Sequence, residues 1–289
     1  MKDVHLATLA GNQFNRVAFR QMLDLGYSEA AIAHRRNAGR LVQVEDGVFA
    51  FPPVREDDKW GRWMGATLTA PDTVLSHLCA AVAQGALSME PAVTTVTRPG
   101  SGGPRRHGGV LVHRSATLDG DVTDENGIPI TTVPRTLLDI TGVVSERALA
   151  RAVREAVRLD LVTLIALGDA LGRYRGRRGS RRLAQVVARY SGLPLERARS
   201  GAEIRAMEIL RDAGRPLPRL NHRIAGDEAD LSWPAFRLII EIDGDPFHLD
   251  IGEDARKEAA WTGAGWDVRR LSSSCVYEEP YRLLALAPS

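Results

Sequence analysis

Apolar residues recur at helical spacing from Asn15 to Leu25, where Val17, Phe19, Met22, Leu23 and Leu25 fall near one stripe and Gly26 follows as a stop. Ser28 is placed to cap a second helix that ends at Gly39, and the next stretch, LVQVEDGVFAF, alternates as a hairpin turning at Asp46 and Gly47. Residues 53–64 are polar with two tryptophans and read as a linker. Thr73 to Leu87 reads as a small-residue helix, and Val93 to Val133 holds several short strand-prone runs broken by Gly, Pro and Asn. From Ser145 to Tyr190 the periodicity is mostly helical. A capped helix is then expected from Ser200 to a stop at Gly214, followed by the strands HRIAGDEADLSW and, after a turn at Pro234, FRLIIEIDGD. Leu238 to Ile240 is apolar without interruption, as for a strand buried on both faces. The pattern divides the chain into a helical and hairpin module (1–54), a mixed α/β middle region (55–144), an arginine-rich helical connector (145–199) and a C-terminal domain (200–289). The fold class expected is α/β, α+β overall, with a central mixed sheet in the last domain.

Composition narrows the class. At roughly 150 residues per domain, 289 residues suggest about two cores, and 44% hydrophobic with 26% charged residues is a globular balance. No apolar run approaches the ~20 residues that span a bilayer, and the start, MKDVHLATLAGNQFNR, has no uninterrupted apolar leader segment. The expectation is a cytoplasmic protein with no membrane partner. Cys79 and Cys275 cannot build a disulfide framework, and no CxxC-type spacing offers a structural zinc site. The net charge of +2 hides an asymmetry: residues 200–289 carry 11 Lys/Arg against 16 Asp/Glu, and the preceding residues 27 against 20. A cationic module beside a carboxylate-rich one suits a nucleic-acid enzyme, the first attracting phosphates and the second collecting metal ligands. Between residues 173 and 199 nine arginines face a single acid, Glu196, which makes this stretch either a phosphate attractor or a solubilising connector. Arg105, Arg106 and His107 in the glycine-rich loop 98–109 read as a solvated loop tip.

The chemistry concentrates after Ser200. Glu203 sits three residues beyond the Ser200 cap, where a capping box would turn it back to the Ser200 N–H. It also shares a helical face with Met207 and Leu210, which points it toward a core, and an inward carboxylate needs a cation or donors. Asp230 lies between Ala229 and Leu231 on the first strand; Glu241 ends the buried second strand, with Asp243 on the same face. Acids converging at strand ends oppose one another's ionisation, and a divalent, oxygen-seeking metal is the simplest way to hold them together. Trp233 and Trp266 read as core residues rather than base-stacking platforms.

Two family resemblances follow from these residues. Helix, short turn, helix, hairpin is the order of a winged helix-turn-helix, whose second helix, carrying His34, Arg35 and Arg36, would enter the major groove of DNA. Its S-x-x-A-I-x-x-R helix and G-R-L-V-x-V-x-x-G-V-F-A wing, from Ser28 to Ala50, resemble the N-terminal domain of AbiEi-type antitoxins. The strings VLSHLCAA and GIPITTVPRTLLD resemble the segment that follows it there, and within the second Arg135 and Asp139, four apart, read as a helix-surface ion pair. Glu on a helix, Asp on a strand, ten intervening residues and then E-x-D resembles the PD-(D/E)XK nuclease core. The continuation E-I-D-G-x-x-F-H, D-A-R-K and A-G-W-D-V-R-R-L is similar to the very-short-patch-repair-like endonuclease branch of that superfamily, over about residues 200–275.

The second resemblance implies Mg²⁺- or Mn²⁺-dependent hydrolysis of a phosphodiester, with Glu203, Asp230 and Glu241 matched to the acidic metal-binding positions. It implies His248 as a general acid or base. Asp243 stands where that family commonly has the lysine of its E-x-K pattern, and Lys257 on the following helix could supply the missing cation. The expected function is a DNA endonuclease recruited by the winged helix. The alternative is an antitoxin-like DNA-binding regulator whose nuclease fold is inactive and whose toxin partner is encoded nearby; RNA cleavage is a third reading, since such a core does not distinguish the two sugars.

Overall fold

A computed structural model of the chain describes residues 1–55, 57–89, 91–244 and 251–289. Among these residues are thirteen α-helices and three β-sheets, an α/β chain that divides into two compact units. The first is Met1–Val153 with Ala166–Ala184, the second Arg154–Ile165 with Gln185–Ser289. No helix of the described residues is long and apolar enough to cross a membrane.

The first unit opens with α1 (Lys2–Gly11), β1 (Arg16–Ala18), α2 (Phe19–Asp24), α3 (Glu29–Asn37), β2 (Val42–Glu45) and β3 (Val48–Ala50). The three strands form an antiparallel sheet in the order β1-β3-β2, and Leu6, Val17, Met22, Ile32, Leu41 and Phe49 pack as its core. The capped helix and hairpin appear where the sequence places them: Ser28 Oγ accepts the Ala31 amide at 3.2 Å, and Gly47 takes the left-handed φ of +65° that the turn requires. The helix expected from Asn15 is shorter. Residues 16–18 instead pair with Ala50, Phe49 and Val48, burying all three, and the helix starts at Phe19 with Gln21 Oε1 accepting the Ala18 amide at 2.9 Å. A periodicity count cannot see the long-range strand partner that decides this.

The expected linker also yields a helix, α4 (Lys59–Leu68). Asp58 caps it through the Gly61 amide at 2.8 Å and holds the buried Arg16 at 3.0 Å, while Trp63, Met64 and Leu68 enter the core. There follow β4 (Val74–Leu75), α5 (His77–Ala83), β5 (Thr94–Pro99), β6 (Arg105–His107), β7 (Val110–Ser115), β8 (Val122–Glu125), β9 (Ile128–Thr131) and α6 (Val133–Ile140). The sheet order is β6-β7-β5-β4-β9-β8, with β5/β7 and β4/β9 parallel. Arg105, Arg106 and His107 are thus an edge strand paired with β7. The helix expected from Thr73 begins only at His77, because Val74 and Leu75 are taken by sheet pairing.

Arg135 and Asp139 are not on the surface: their side chains are 7% and 10% exposed. The Arg135 guanidinium donates to Asp139 Oδ1 (2.9 Å), the Thr117 carbonyl (2.8 Å), Asp121 Oδ2 (3.3 Å) and Ser115 Oγ (3.0 Å), and the Tyr174 hydroxyl donates to Asp121 Oδ1 at 2.7 Å. The i, i+4 spacing is right, but α6 presents this face to the chain around Asp121 instead of to water.

The helices α7 (Glu146–Arg158), α8 (Leu164–Arg173) and α9 (Ser180–Tyr190) are shared between the units. The second unit contains α10 (Gly201–Asp212), β10 (Arg219–Ile224), β11 (Asp227–Trp233), β12 (Leu238–Asp243), α11 (Ile251–Gly263), β13 (Asp267–Ser272), α12 (Ser273–Glu278) and α13 (Pro280–Leu286). Its sheet is mixed, in the order β10-β11-β12-β13, antiparallel except for the parallel β12/β13 pair that the α11 crossover permits. Ile224, Ala229, Ile239 and the fully buried Trp261 form a core against which Trp266 packs; Trp233 is buried with its indole N–H on the Pro216 carbonyl at 2.7 Å.

Removing Arg135 would strand Asp139 inside the first unit and take one donor from Asp121. Arg135→Ala is expected to lose about 3–5 kcal/mol of stability, as for a buried ion pair broken from one side, read as a lowered midpoint in urea denaturation of the full chain.

Candidate functional site

The antiparallel ladder between β11 and β12 runs through Trp233↔Leu238, Ser232↔Ile239 and Leu231↔Ile240. The next step sets Asp230 against Glu241, and there side chains replace carbonyls as acceptors. Glu241 Oε1 takes the Asp230 amide at 2.9 Å, and Asp230 Oδ2 takes the Ile242 amide at 2.8 Å. Each carboxylate therefore holds an amide at the strand end where backbone pairing stops. Their other oxygens, Asp230 Oδ1 and Glu241 Oε2, take no hydrogen bond among the described residues.

Partial burial raises the proton affinity of both acids. Asp230 is pushed up to about 6, by desolvation first and then by the charges of Glu203 and Asp243; the Ile242 amide and Lys257 act against this. Glu241 is pushed up to about 7, again by desolvation first and then by Asp230. Asp243 is raised by burial and held back by Arg270, whose Nη1 lies 2.9 Å from its Oδ1.

Glu203 is 3% exposed on the first turn of α10 and near enough to oppose Asp230's ionisation, but its carboxylate is engaged locally. Ser200 Oγ accepts the Glu203 amide at 3.1 Å, as the cap predicts. The return bond goes one residue further than a capping box, to the Arg199 amide at 2.9 Å, and the same oxygen takes Asn221 Nδ2 at 2.8 Å. Lys257 on α11 lies 3.3 Å from Glu253 and contributes positive charge at Asp230. His248 lies outside the described residues. Asp230, Glu241, Glu203, Asp243 and Lys257 thus share one electrostatic neighbourhood, although among the described residues no group of three or more His, Cys, Asp or Glu side chains is set to hold a metal ion.

Arg270 was not singled out by the sequence. Parallel pairing sets it beside Glu241, and its guanidinium lies 2.9 Å from Asp243, 3.5 Å from Asp254 and 3.5 Å from Glu258. The string D-V-R-R-L carries it, but only the β12/β13 register shows which arginine faces the acids. Arg256 makes a two-pronged pair with Asp227 at 2.7 and 3.0 Å, fastening α11 to the start of β11.

On α3, His34 and Arg36 are exposed, with the Arg36 guanidinium 5.7 Å from the Phe49 ring centroid. Arg35 is occupied within the module, 2.6 Å from Asp3 and over the Tyr27 ring at 5.0 Å. Arg40 just beyond the helix is exposed as well.

No protein-family model matches the chain. It is similar to uncharacterized proteins from two strains of Mycobacterium tuberculosis, 32% identical to each over 127 residues, or 40% of this chain. The chain spans 45% of the length of these relatives.

The raised acids fix a direction of pH dependence. Against ordinary values of 3.8 and 4.5, native Asp230 and Glu241 hold protons that the unfolded chain has released, so their contribution to stability is lost as pH rises from about 4 to about 7. Without divalent metal, the wild-type Tm is expected to fall across this window relative to the Asp230→Asn, Glu241→Gln double variant; parallel curves from differential scanning calorimetry would refute the assignment.

Proposed function

We propose that the second unit is a divalent-metal-dependent nuclease domain of the PD-(D/E)XK type, acting on DNA phosphodiesters in the cytoplasm, and that the first six elements of the chain form a winged helix-turn-helix that brings it to duplex DNA. The observation that carries this reading is the facing Asp230 and Glu241 pair at the end of a central strand, two acids with raised proton affinity and, among the described residues, no cation bound directly to either. The element order supports it: Glu203 lies on the helix before the sheet, Asp230 on one strand and Glu241 on the next, within a mixed sheet.

The donor set fits a hard divalent cation such as Mg²⁺ or Mn²⁺: two carboxylates, each with one oxygen uncommitted, in a place where their mutual repulsion needs neutralising. Asp230 and Glu241 would hold it, while Glu203, tied to Arg199 and Asn221, shapes the field behind them. When bound, such a metal supplies a water of lowered pKa and charge neutralisation at the phosphate. Lys257 and Arg270 flank the pair and would face the developing negative charge, in place of the lysine that Asp243 replaces.

A regulator with an inactive nuclease fold, paired with a toxin, is the second reading. Asp243, in the lysine position and bound to Arg270, favours it.

In plasmid nicking with Mg²⁺ or Mn²⁺, Glu241→Gln is expected to reduce cleavage by orders of magnitude while duplex binding survives. A wild type that cleaves neither DNA nor RNA would favour the regulator. Metal binding is separable: Mg²⁺ should raise the Tm of the wild type and not of Asp230→Ala, because only a ligand that prefers the native state stabilises it. For the winged helix, Arg36→Ala should weaken duplex binding and flatten its salt dependence by about one counterion, whereas Arg35→Ala should mainly lower stability through the loss of Asp3 and Tyr27. Gel shifts across a salt series and thermal melts distinguish the two.

A further inference from the structure

The first unit contains a cleft of about 490 Å³ that the nuclease reading does not use. One wall is built where β4 runs into α5. The Thr97 hydroxyl donates to Ser76 Oγ at 2.8 Å, and Ser76 Oγ meets His77 Nδ1 at 3.0 Å, fixing an imidazole whose backbone takes the uncommon φ of +53°. Pairing of β5 with β7 sets His113 beside Thr97, and the two imidazoles stack with centroids 3.9 Å apart and planes 28° from parallel. In this arrangement the ring lone pairs run side by side instead of converging, so the histidines do not chelate a metal. Burial lowers the proton affinity of both, leaving a neutral polar wall. His77 Nε2 and both nitrogens of His113 have no hydrogen bond among the described residues.

The floor is the Arg135 brace, and it is incomplete in two places. Asp139, nine-tenths buried, uses Oδ1 on Arg135 while its buried Oδ2 has no hydrogen bond among the described residues. Arg177 Nη1 is also buried without a hydrogen bond there, 3.5 Å from Asp121. At the rim, Arg114 and Arg178 are exposed. The lining thus carries four guanidiniums against one carboxylate, an orphan acceptor at the floor and unused donors around it.

We infer that this cleft binds a phosphorylated small molecule of sugar-phosphate to mononucleotide size, with its phosphate on Arg177, Arg178 and Arg114 and a hydroxyl or amine donating to Asp139 Oδ2. The positive field selects an anion, the planar guanidiniums suit phosphate oxygens, and the orphan carboxylate oxygen asks for a donor on the same ligand. The volume falls within the usual range for small-ligand sites, roughly 300–1,000 Å³. The inference stands on different residues from the nuclease reading and does not depend on it.

The test is calorimetric titration of the full chain with ribose 5-phosphate, AMP, ribose, inorganic phosphate and a 5′-phosphorylated oligonucleotide. Ribose 5-phosphate or AMP is expected to bind at least about tenfold more tightly than phosphate, a difference of about 1.4 kcal/mol, with no binding of ribose. Arg114→Ala with Arg178→Ala, both at exposed positions, should cut that affinity at least tenfold with little change in the Tm of the free protein. Asp139→Asn should erase the preference for ribose 5-phosphate over phosphate. No binding by either sugar phosphate, equal binding of ribose, or affinity unchanged in the double arginine variant would overturn the inference. An oligonucleotide bound more tightly than AMP, and lost in the same variant, would overturn the small-molecule assignment in favour of a DNA end.

Discussion

Two acids facing each other across the end of a strand pair are a conflict that the second unit is built around. Asp230 and Glu241 are each desolvated, and neighbouring acids raise their proton affinity further, Glu203 and Asp243 for Asp230 and Asp230 for Glu241. The fold keeps them there by giving each carboxylate a backbone amide and by arranging charge around them. Lys257 approaches on α11, Arg270 on β13 holds Asp243, and Arg256 fastens α11 by its pair with Asp227. The parallel β12/β13 pairing matters for the same reason: it places Arg270 beside Glu241. These cations surround the two acids, yet among the described residues one oxygen of each acid stays uncommitted.

The buried charges of the first unit make a useful contrast. Asp121 receives the Arg135 guanidinium and the Tyr174 hydroxyl, and Asp139 receives Arg135 on one of its two oxygens, so each negative charge has a direct donor. A fold able to do this for Asp121 has the means to neutralise Asp230 and Glu241 in the same way, with an arginine at a neighbouring position. It does so for Asp243 and not for them. The difference is one of partners: Asp121 and Asp139 meet an arginine directly, whereas Asp230 and Glu241 meet backbone amides alone among the described residues.

What the sequence made legible was local. The Ser28 and Ser200 caps, the Asp46-Gly47 turn and the buried run from Leu238 to Ile240 each depend on neighbours a few residues away, and each appears in the structure. The acids could be placed at strand ends for the same reason. Features set by distant partners were not readable: the strand at Arg16–Ala18 needs Val48–Ala50, and α4 looked like a linker because its charged residues mask the face carrying Trp63, Met64 and Leu68. Arg135 and Asp139 had the spacing of a surface pair, and only the tertiary placement of α6 reveals that they are inside. Arg270 escaped notice because a dipeptide of arginines on a strand does not say which one turns toward the acids.

Glu203 shows how a capping role and a field-setting role coexist in one residue. The Ser200 cap and the bonds from Arg199 and Asn221 account for the carboxylate's position without any ligand, yet its charge still reaches Asp230. These three bonds, at its own helix start and to a neighbouring strand, hold the residue behind Asp230. From there its charge opposes the ionisation of Asp230. The asymmetry among the acids is one of partners: Glu203 takes two amide donors on one oxygen, Asp243 takes an arginine, and Asp230 and Glu241 each take a single backbone amide, with no cation bound directly to either among the described residues.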